Sequence, residues 1–281
     1  MGLIAITKQE KVTGQILIPT AYERLTASRT VDRPTVQILT ESSWLEPLMS
    51  LHLQVRNEMP RAQSHYLLPK NLDYFRDLLA GKDGVIFGVF SKGCLVSSMA
   101  FVHAKSFATA HIDGKITCPD PSGELAQFFG NGTVGVIQSL CVRNNYLGRG
   151  YSRALIDAGV AFCKEKTYSH LFAQVAAQNT LSWLRFLDHG FGIVASWKSG
   201  HRRFLLRWFP PAEKARLIKA ARPPDRHSYS KNYSQMPAAL SELSAKLKKG
   251  YIILLNNKEE KSRSLPFVFS PRPCDDCPDL D

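Results

Sequence analysis

The alternation of apolar and polar residues becomes regular at Pro34. Thr35 to Leu39 reads as a short strand, and Ser43 with Glu46 has the S-x-x-E spacing of a capping box that opens a helix. Leu45, Leu48, Met49, His52, Val55 and Met59 recur at helical spacing behind it, with Pro47 in the first turn, where proline costs little. Asn71 to Leu79 predicts a second, shorter helix ending near Gly81. Two β-rich runs, Gly84 to Phe90 and Cys94 to His103, flank Ser91-Lys92-Gly93 and predict a hairpin. Residues 107–132 read as an irregular insertion rich in Gly, Pro and Asp, a segment that suits a substrate lid. The pattern then runs strand (133–142), glycine turn, helix (152–166), strand (170–176), helix (180–189) and two strands (191–197, 202–208).

These elements divide the chain into an N-terminal extension, 1–33, a folded domain, 34–210, and a C-terminal extension, 211–281. The first holds two short aliphatic runs, either a hairpin or an extended arm. The last is basic, with one amphipathic helix candidate (238–248), one strand-like run (251–255) and an acidic Cys-Pro tail. It is too small for a core of its own.

Composition changes this picture little. The 281 residues are 44% hydrophobic and 21% charged, as in an ordinary globular protein. No apolar run approaches the roughly 18 to 20 residues of a membrane span, the opening apolar run is short for a signal peptide, and Ile6 stands where a myristoylation signal needs Ser or Thr. Of six cysteines, Cys94, Cys118, Cys141 and Cys163 sit singly in apolar runs, so a soluble protein of the reducing cytoplasm is expected. Cys274 and Cys277 form a lone C-x-x-C without a second pair of matching spacing, and no metal site is expected.

Charge matters more. The formal net charge is +12, and residues 198–226 hold nine basic side chains against Glu213 and Asp225. Such a stretch either is a solvated face or attracts anions: cofactor phosphates, an acidic protein partner or nucleic acid.

The chemistry lies between Gly135 and Phe191. An apolar strand feeds Gly148 and Gly150, and a helix opens at once with Leu155, Ala158, Gly159, Phe162 and Cys163 on one face. The first amides of such a helix lack internal partners and point outward with the positive end of its dipole, and glycines let a diphosphate approach. The P-loop pattern is absent, and a Rossmann fingerprint fails at Arg153.

Here the sequence resembles the GNAT superfamily of N-acetyltransferases. That family's motif A is a strand ending in L-x-V, followed by R/Q-x-x-G-x-G/A and a helix. The counterparts are Leu140-Cys141-Val142 and Leu147-Gly148-Arg149-Gly150-Tyr151-Ser152. Asn179, Phe186, Gly190 and Phe191 fall at the spacings of the family's N-x6-Y-x3-G-F pattern in motif B. The resemblance implies an α+β fold of three α/β/α layers, with a mixed, mostly antiparallel central sheet. It implies acetyl-CoA as co-substrate, its pantetheine arm beside the backbone of Leu140, Cys141 and Val142. The pyrophosphate would lie on the amides of Leu147, Gly148, Arg149, Gly150, Tyr151 and Ser152, with Asn179 bonding the arm or the strand beside it.

Two catalytic positions of the family are altered. Its usual central-strand Glu is Gln138, which takes no proton, and its motif B Tyr is Phe186, which gives none. The remaining candidates for proton handling are His103 at the end of the hairpin strand, Glu58 at the end of the first helix, and Ser139 beside Gln138. Trp44, His65, Tyr66 and Trp183 are candidate pocket residues. The expected activity is acetyl transfer from acetyl-CoA to a primary amine of a small molecule or protein by direct attack. A non-catalytic acyl-CoA sensor or partner-binding module is the alternative.

Overall fold

The computed structural model describes residues 34–120, 123–220, 226–230, 242–247, 251–255 and 264–271. Residues 1–33 and the tail with Cys274 and Cys277 lie outside the described residues. The period-two segments pair into one sheet. Its strands are β1 (Val36–Leu39), β2 (Gly84–Ser91), β3 (Cys94–Ala104), β4 (Val134–Val142), β5 (His170–Ala176), β6 (Phe191–Ser199), β7 (His201–Trp208), β8 (Arg226–Ser230), β9 (Tyr251–Leu255) and β10 (Ser264–Pro271). The spatial order is β1-β2-β3-β4-β5-β7-β6-β9-β10-β8. Every neighbouring pair is antiparallel except β4 and β5, which run parallel and are joined through a helix, as a parallel crossover requires.

The helices are α1 (Leu45–Glu58), α2 (Leu72–Leu79), α3 (Phe107–Ile112), α4 (Glu124–Phe129), α5 (Tyr151–Glu165), α6 (Thr180–Asp188) and α7 (Pro211–Ala220). Strand alternation divides the core between the two faces of the sheet. On one face α1 and α2 bury Leu48, Leu51, Val55, Phe75 and Leu78 with Ala100, Val102, Val134, Val136, Phe172 and Leu205. On the other, α5 and α6 bury Leu155, Ile156, Trp183, Phe186 and Leu187 with Met99, Phe101, Ile137, Ala173, Phe204 and Leu206. The mixed sheet between helical layers is the architecture expected from the sequence. Each fully buried large side chain contributes roughly 1.5 to 3 kcal/mol, which suffices to hold both helical layers on the sheet.

Three details differ from the sequence reading. The capping box does not form: Ser43 lies in a 3-10 turn, Ser42–Trp44, its hydroxyl donates to Glu41 Oε2 at 3.2 Å, and α1 begins at Leu45 without a side-chain cap. A helix capped by Ser43 would need the fourth residue of its first turn, Pro47, to donate an N–H that proline lacks; starting at Leu45 places Pro47 where no donor is needed.

The insertion is not a loose lid. Ser106 caps α3 by accepting from Thr109 N (3.1 Å), Asp120 accepts from Leu125 N and Ala126 N, and Phe107, Ala110, Ile116, Cys118, Leu125 and Phe129 are buried in the α1/α2-side core.

Beyond Pro210 the basic composition hides α7, which opens with Pro211 at a position proline favours and buries Leu217. It also conceals β8 and β10. Helical residues 242–247 and strand β9 fall inside the two runs expected there, and β9 extends the sheet through Gly192↔Leu254 and Ile193↔Ile253.

At Gly135 the sheet leaves no room for a side chain: a Cβ there would stand 2.2 Å from the ring of fully buried Phe101. Gly135→Ala is expected to cost about 1 to 3 kcal/mol of stability through overpacking, read as a lower urea midpoint at unchanged slope. An unchanged midpoint would show that the Phe101 layer is loosely packed.

Candidate functional site

The parallel pairing of β4 with β5 lasts from Val134↔His170 to Ile137↔Ala173 and then stops. β4 continues to Val142 against β3 alone, and β5 continues to Ala176 against β7 alone. The cause is local. Ser98 of β3 faces Cys141 while Ala100 faces Gln138, so β4 carries an extra residue, and Ser139 adopts φ +50°. Such a bulge bends its strand, here away from β5. The opening is bridged by side chains in place of a ladder. Gln138 and Gln174, the first residues past the pairing on each strand, both donate their Nε2 to the Lys115 carbonyl, at 3.0 and 2.9 Å. Thr117 returns its amide (2.8 Å) and hydroxyl (2.9 Å) to Gln174 Oε1.

Leu140, Cys141 and Val142 form the far part of the unpaired β4 edge. Cys141 is buried, its carbonyl accepts from Ser97 Oγ at 2.7 Å and its sulfur lies 3.3 Å from Ser98 Oγ. Burial pushes its thiol up, so the side chain packs and the free strand edge is what remains for a ligand.

The chain then turns through Asn144–Tyr146 and an exposed Leu147 into Gly148 (φ +76°) and Gly150 (φ +81°), which caps α5. Both glycines adopt the left-handed region, and a Cβ on either would meet nothing within 4 Å. Their backbone conformation is thus the reason for glycine, and the space above them is open. The first bond of α5 runs from Ala154 N to Gly150 O at 3.0 Å, and no side chain caps the helix. The amides of Tyr151, Ser152 and Arg153 are left as donors at the positive end of a 15-residue helix with no acidic residue in its first turn. Arg149 lies over the Tyr146 ring, 4.9 Å from its centroid, beside these amides.

At the opening itself the structure gathers side chains that the sequence kept far apart. Gln138 Oε1 accepts from Lys70 Nζ (3.1 Å) and from Tyr74 OH (3.2 Å), and Tyr74 OH lies 3.5 Å from Ser139 Oγ. Lys70 also sits over the Tyr74 ring, 4.1 Å from its centroid. Burial raises the Tyr74 hydroxyl well above the usual phenol range, so it stays protonated, and burial lowers the Lys70 ammonium. Pro69, Lys70, Asn71 and Tyr74 line an open recess of about 500 Å³. Asn71 is fixed there because its side chain accepts from Tyr74 N and caps α2.

Of the candidates for proton handling, only Ser139 lies in this corner. His103 pairs with Gly135, three β4 residues before Gln138 and on the α5 side of the sheet, where its ring approaches Tyr168; burial, then Lys115, lowers its pKa. Glu58 is exposed at the end of α1 and accepts from Gln54. Phe186 is buried against Phe191. Asn179 caps α6 through Ser182 N at 3.2 Å, which leaves its carboxamide nitrogen as a donor past the end of β5. Trp183 is a fully buried core residue bonded to the Ala177 carbonyl, and Trp44 packs on Phe90.

His65 and Tyr66 end the 3-10 turn between α1 and α2. The His65 ring stacks on His201 of the β6–β7 hairpin at 3.6 Å and 9°. Its carbonyl accepts from Arg203 Nη2 at 3.4 Å. Burial, followed by His201 and Arg203, holds His65 below its ordinary pKa. The basic stretch from Lys198 is therefore not one patch. Arg202 donates to Ser244 Oγ, Arg203 meets the α1–α2 connection, and buried Arg207 pairs with Glu213 at 2.7 Å and donates to His170. Among the described residues no three His, Cys, Asp or Glu side chains gather as a metal site, and no helix is long and apolar enough to cross a membrane.

No curated protein matches the chain. Similar solved structures include Arabidopsis thaliana NAA60 in complex with acetyl-CoA (18% identity, 62% of this chain and 97% of that one, TM-score 0.45). Others are an N-acetyltransferase from Staphylococcus aureus Mu50 (15%, 62% and 96%, 0.45) and FeeM, an N-acyl amino acid synthase from uncultured soil microbes (15%, 64% and 92%, 0.48). The model of the acetyltransferase (GNAT) family matches residues 52–191, which run from within α1 to the start of β6 and so contain the β4–β5 opening and the glycine turn. The chain belongs to the GNAT acetyltransferase family, whose co-substrate is acetyl-CoA.

Proposed function

We propose that this protein moves an acetyl group from acetyl-CoA to a primary amine by direct attack. The observation that carries the reading is the β4 edge left free at Gln138, leading straight into uncapped amides at the start of α5. Acetyl-CoA supplies the activated thioester. Leu140, Cys141 and Val142 offer a strand edge to the pantetheine arm, much as a neighbouring strand would. The amides from Leu147 to Ser152, with Arg149, take the pyrophosphate. Asn179 donates to the arm or to the adjacent strand.

Transfer further needs a neutral amine and a proton for the departing thiolate. Tyr74 takes the donor's part that Phe186 cannot fill, since its hydroxyl is held protonated and points to the β4 bulge. Ser139 links that hydroxyl to water that receives the acceptor's proton. His103 and Glu58 stand outside this relay. The unpaired thiols of Cys94, Cys141 and Cys163 suit work in a reducing cytoplasm.

A second reading, an acyl-CoA sensor without turnover, draws on two observations. Both ends of the Gln138 carboxamide are already bonded, and Phe186 is locked in the core. Coenzyme A release across amines, peptides and aminoglycosides, followed with a thiol reagent, separates the two. Release with some acceptor supports transfer, saturable acetyl-CoA binding with no release supports the sensor, and absence of binding removes both.

Tyr74→Phe is expected to lower kcat by about 10²-fold or more while acetyl-CoA affinity stays within twofold, as for loss of a general acid. An unchanged kcat would take Tyr74 out of the relay. Gly150→Asp places a carboxylate in the open space above the turn and is expected to abolish measurable acetyl-CoA binding. The fold survives at a cost of about 1 to 2 kcal/mol, because the left-handed conformation is strained for a residue with a Cβ. Unchanged affinity in the folded variant would show that the pyrophosphate lies elsewhere.

A further inference from the structure

The charges around the β4–β5 opening are unbalanced. Three cations approach it from the α1/α2 side: Lys70, Lys115 and Arg203. Lys115, whose carbonyl meets Gln138 and Gln174, turns its ammonium to Asp83 (3.2 Å) and Asp113 (3.4 Å) and is neutralised. Lys70 is bonded to the neutral carboxamide oxygen of Gln138, and among the described residues no carboxylate pairs with it. Arg203 likewise meets a neutral group, the His65 carbonyl, and has no carboxylate partner among the described residues. Alternation along β7 puts Arg203 on the same sheet face as Leu205, whose core holds α1 and α2, and the α1–α2 connection from His65 to Lys70 spans the distance between the two cations.

A partly buried cation bonded only to neutral oxygens has lost hydration without gaining an opposite charge. A glutamate at position 138 would have supplied that charge to Lys70; Gln138 has the same reach and leaves the cation unanswered. The stacked imidazoles of His65 and His201, Tyr66 against His65, and His52 with Arg56 near Lys70 bring no negative charge to this rim. An acceptor approaching as a simple ammonium would meet a field of its own sign. An acceptor that also carries an oxyanion would be drawn in and oriented.

We propose that Lys70 and Arg203 bind an oxyanion, a carboxylate or a phosphate, borne by the acceptor, so that the acceptor class is amines that carry a negative charge beside the amino group. This rests on the acetyl-transfer reading above. Lys70 acts in it as a specificity residue: its ammonium grips the oxyanion from the 500 Å³ recess, and the acceptor's amine is left toward Ser139 and Tyr74. The Lys70 ammonium is restored toward its ordinary pKa when the site is filled, because the ligand charge offsets the burial.

The test uses matched acceptors that differ only in the oxyanion: amino acids against their amides, and glucosamine 6-phosphate against glucosamine, in coenzyme A release by the full chain. The wild type is expected to favour the anionic member of at least one pair by tenfold or more in kcat/KM, and the favoured pair tells carboxylate from phosphate. Lys70→Met is expected to raise KM for that member at least tenfold and to leave the neutral partner unchanged, with Lys70→Arg restoring most of the loss. Arg203→Gln acts in the same direction.

Equal rates on both members of every pair would overturn the proposal. So would an equal loss on both members in Lys70→Met, which would make Lys70 part of the proton relay, or an acetyl group on Lys70 by mass spectrometry, which would make it the acceptor. If no acceptor releases coenzyme A, acetyl transfer itself fails, and the anion site is judged by thermal shift. Stabilisation by N-acetyl amino acids and not by their amides, lost in Lys70→Met, would sustain it; no such difference would end it.

Discussion

The structure turns on a parallel strand pair that is abandoned after four residues. Antiparallel neighbours hold β4 and β5 on their outer sides, so the two strands part without dissolving the sheet, and each keeps a full ladder with β3 or β7. The single extra residue at the Ser139 bulge supplies the bend. A gap at mid-sheet would ordinarily strand buried backbone groups. Here the Lys115 carbonyl accepts from Gln138 on one strand and Gln174 on the other, and Thr117 donates twice to Gln174, so the opening is bridged by polar atoms while one strand edge stays free. Because β4 runs directly into the glycine turn, the same strand delivers the free edge and, at its end, the uncapped amides of α5.

Around that frame the two faces of the sheet take separate tasks. The α5/α6 face is tightly apolar and holds the helix whose first turn presents the donors. The α1/α2 face carries the polar corner of Lys70, Tyr74, Gln138 and Ser139, with Arg203 and the stacked imidazoles of His65 and His201 at its rim. Gln138 bears on both proposals: a carboxamide takes no proton, and it leaves the partly buried Lys70 bonded to a neutral oxygen.

How much of this was legible in the sequence follows the range of each interaction. The run from Val134 through α5 was readable because its signals are local: an apolar strand, glycines that need a left-handed backbone, then helical spacing. The hairpin β2–β3 and the last pair β6–β7 were readable for the same reason. The false capping box at Ser43 failed by another local rule, the missing N–H of Pro47. Composition misled in the insertion, where Gly and Asp proved to be turns and caps around buried Phe107, Ile116 and Phe129, and beyond Pro210, where lysine and arginine masked α7, β8 and β10. The polar corner was hidden by distance along the chain. Lys70 and Tyr74 meet Gln138 across 68 and 64 residues, and no period or spacing carries such a contact. His103, at the end of the hairpin strand, lies on the α5 side of the sheet, at the end of β4 that is still paired with β5.

Amide hydrogen exchange with and without acetyl-CoA tests whether the unpaired β4 edge and the start of α5 form one continuous backbone site for that ligand. Exchange is expected to slow at Leu140 to Val142 and at Gly148 to Arg153 together, with little change in β1, β2 or α7. Slowed exchange confined to other segments, or none on saturation with acetyl-CoA, would contradict it.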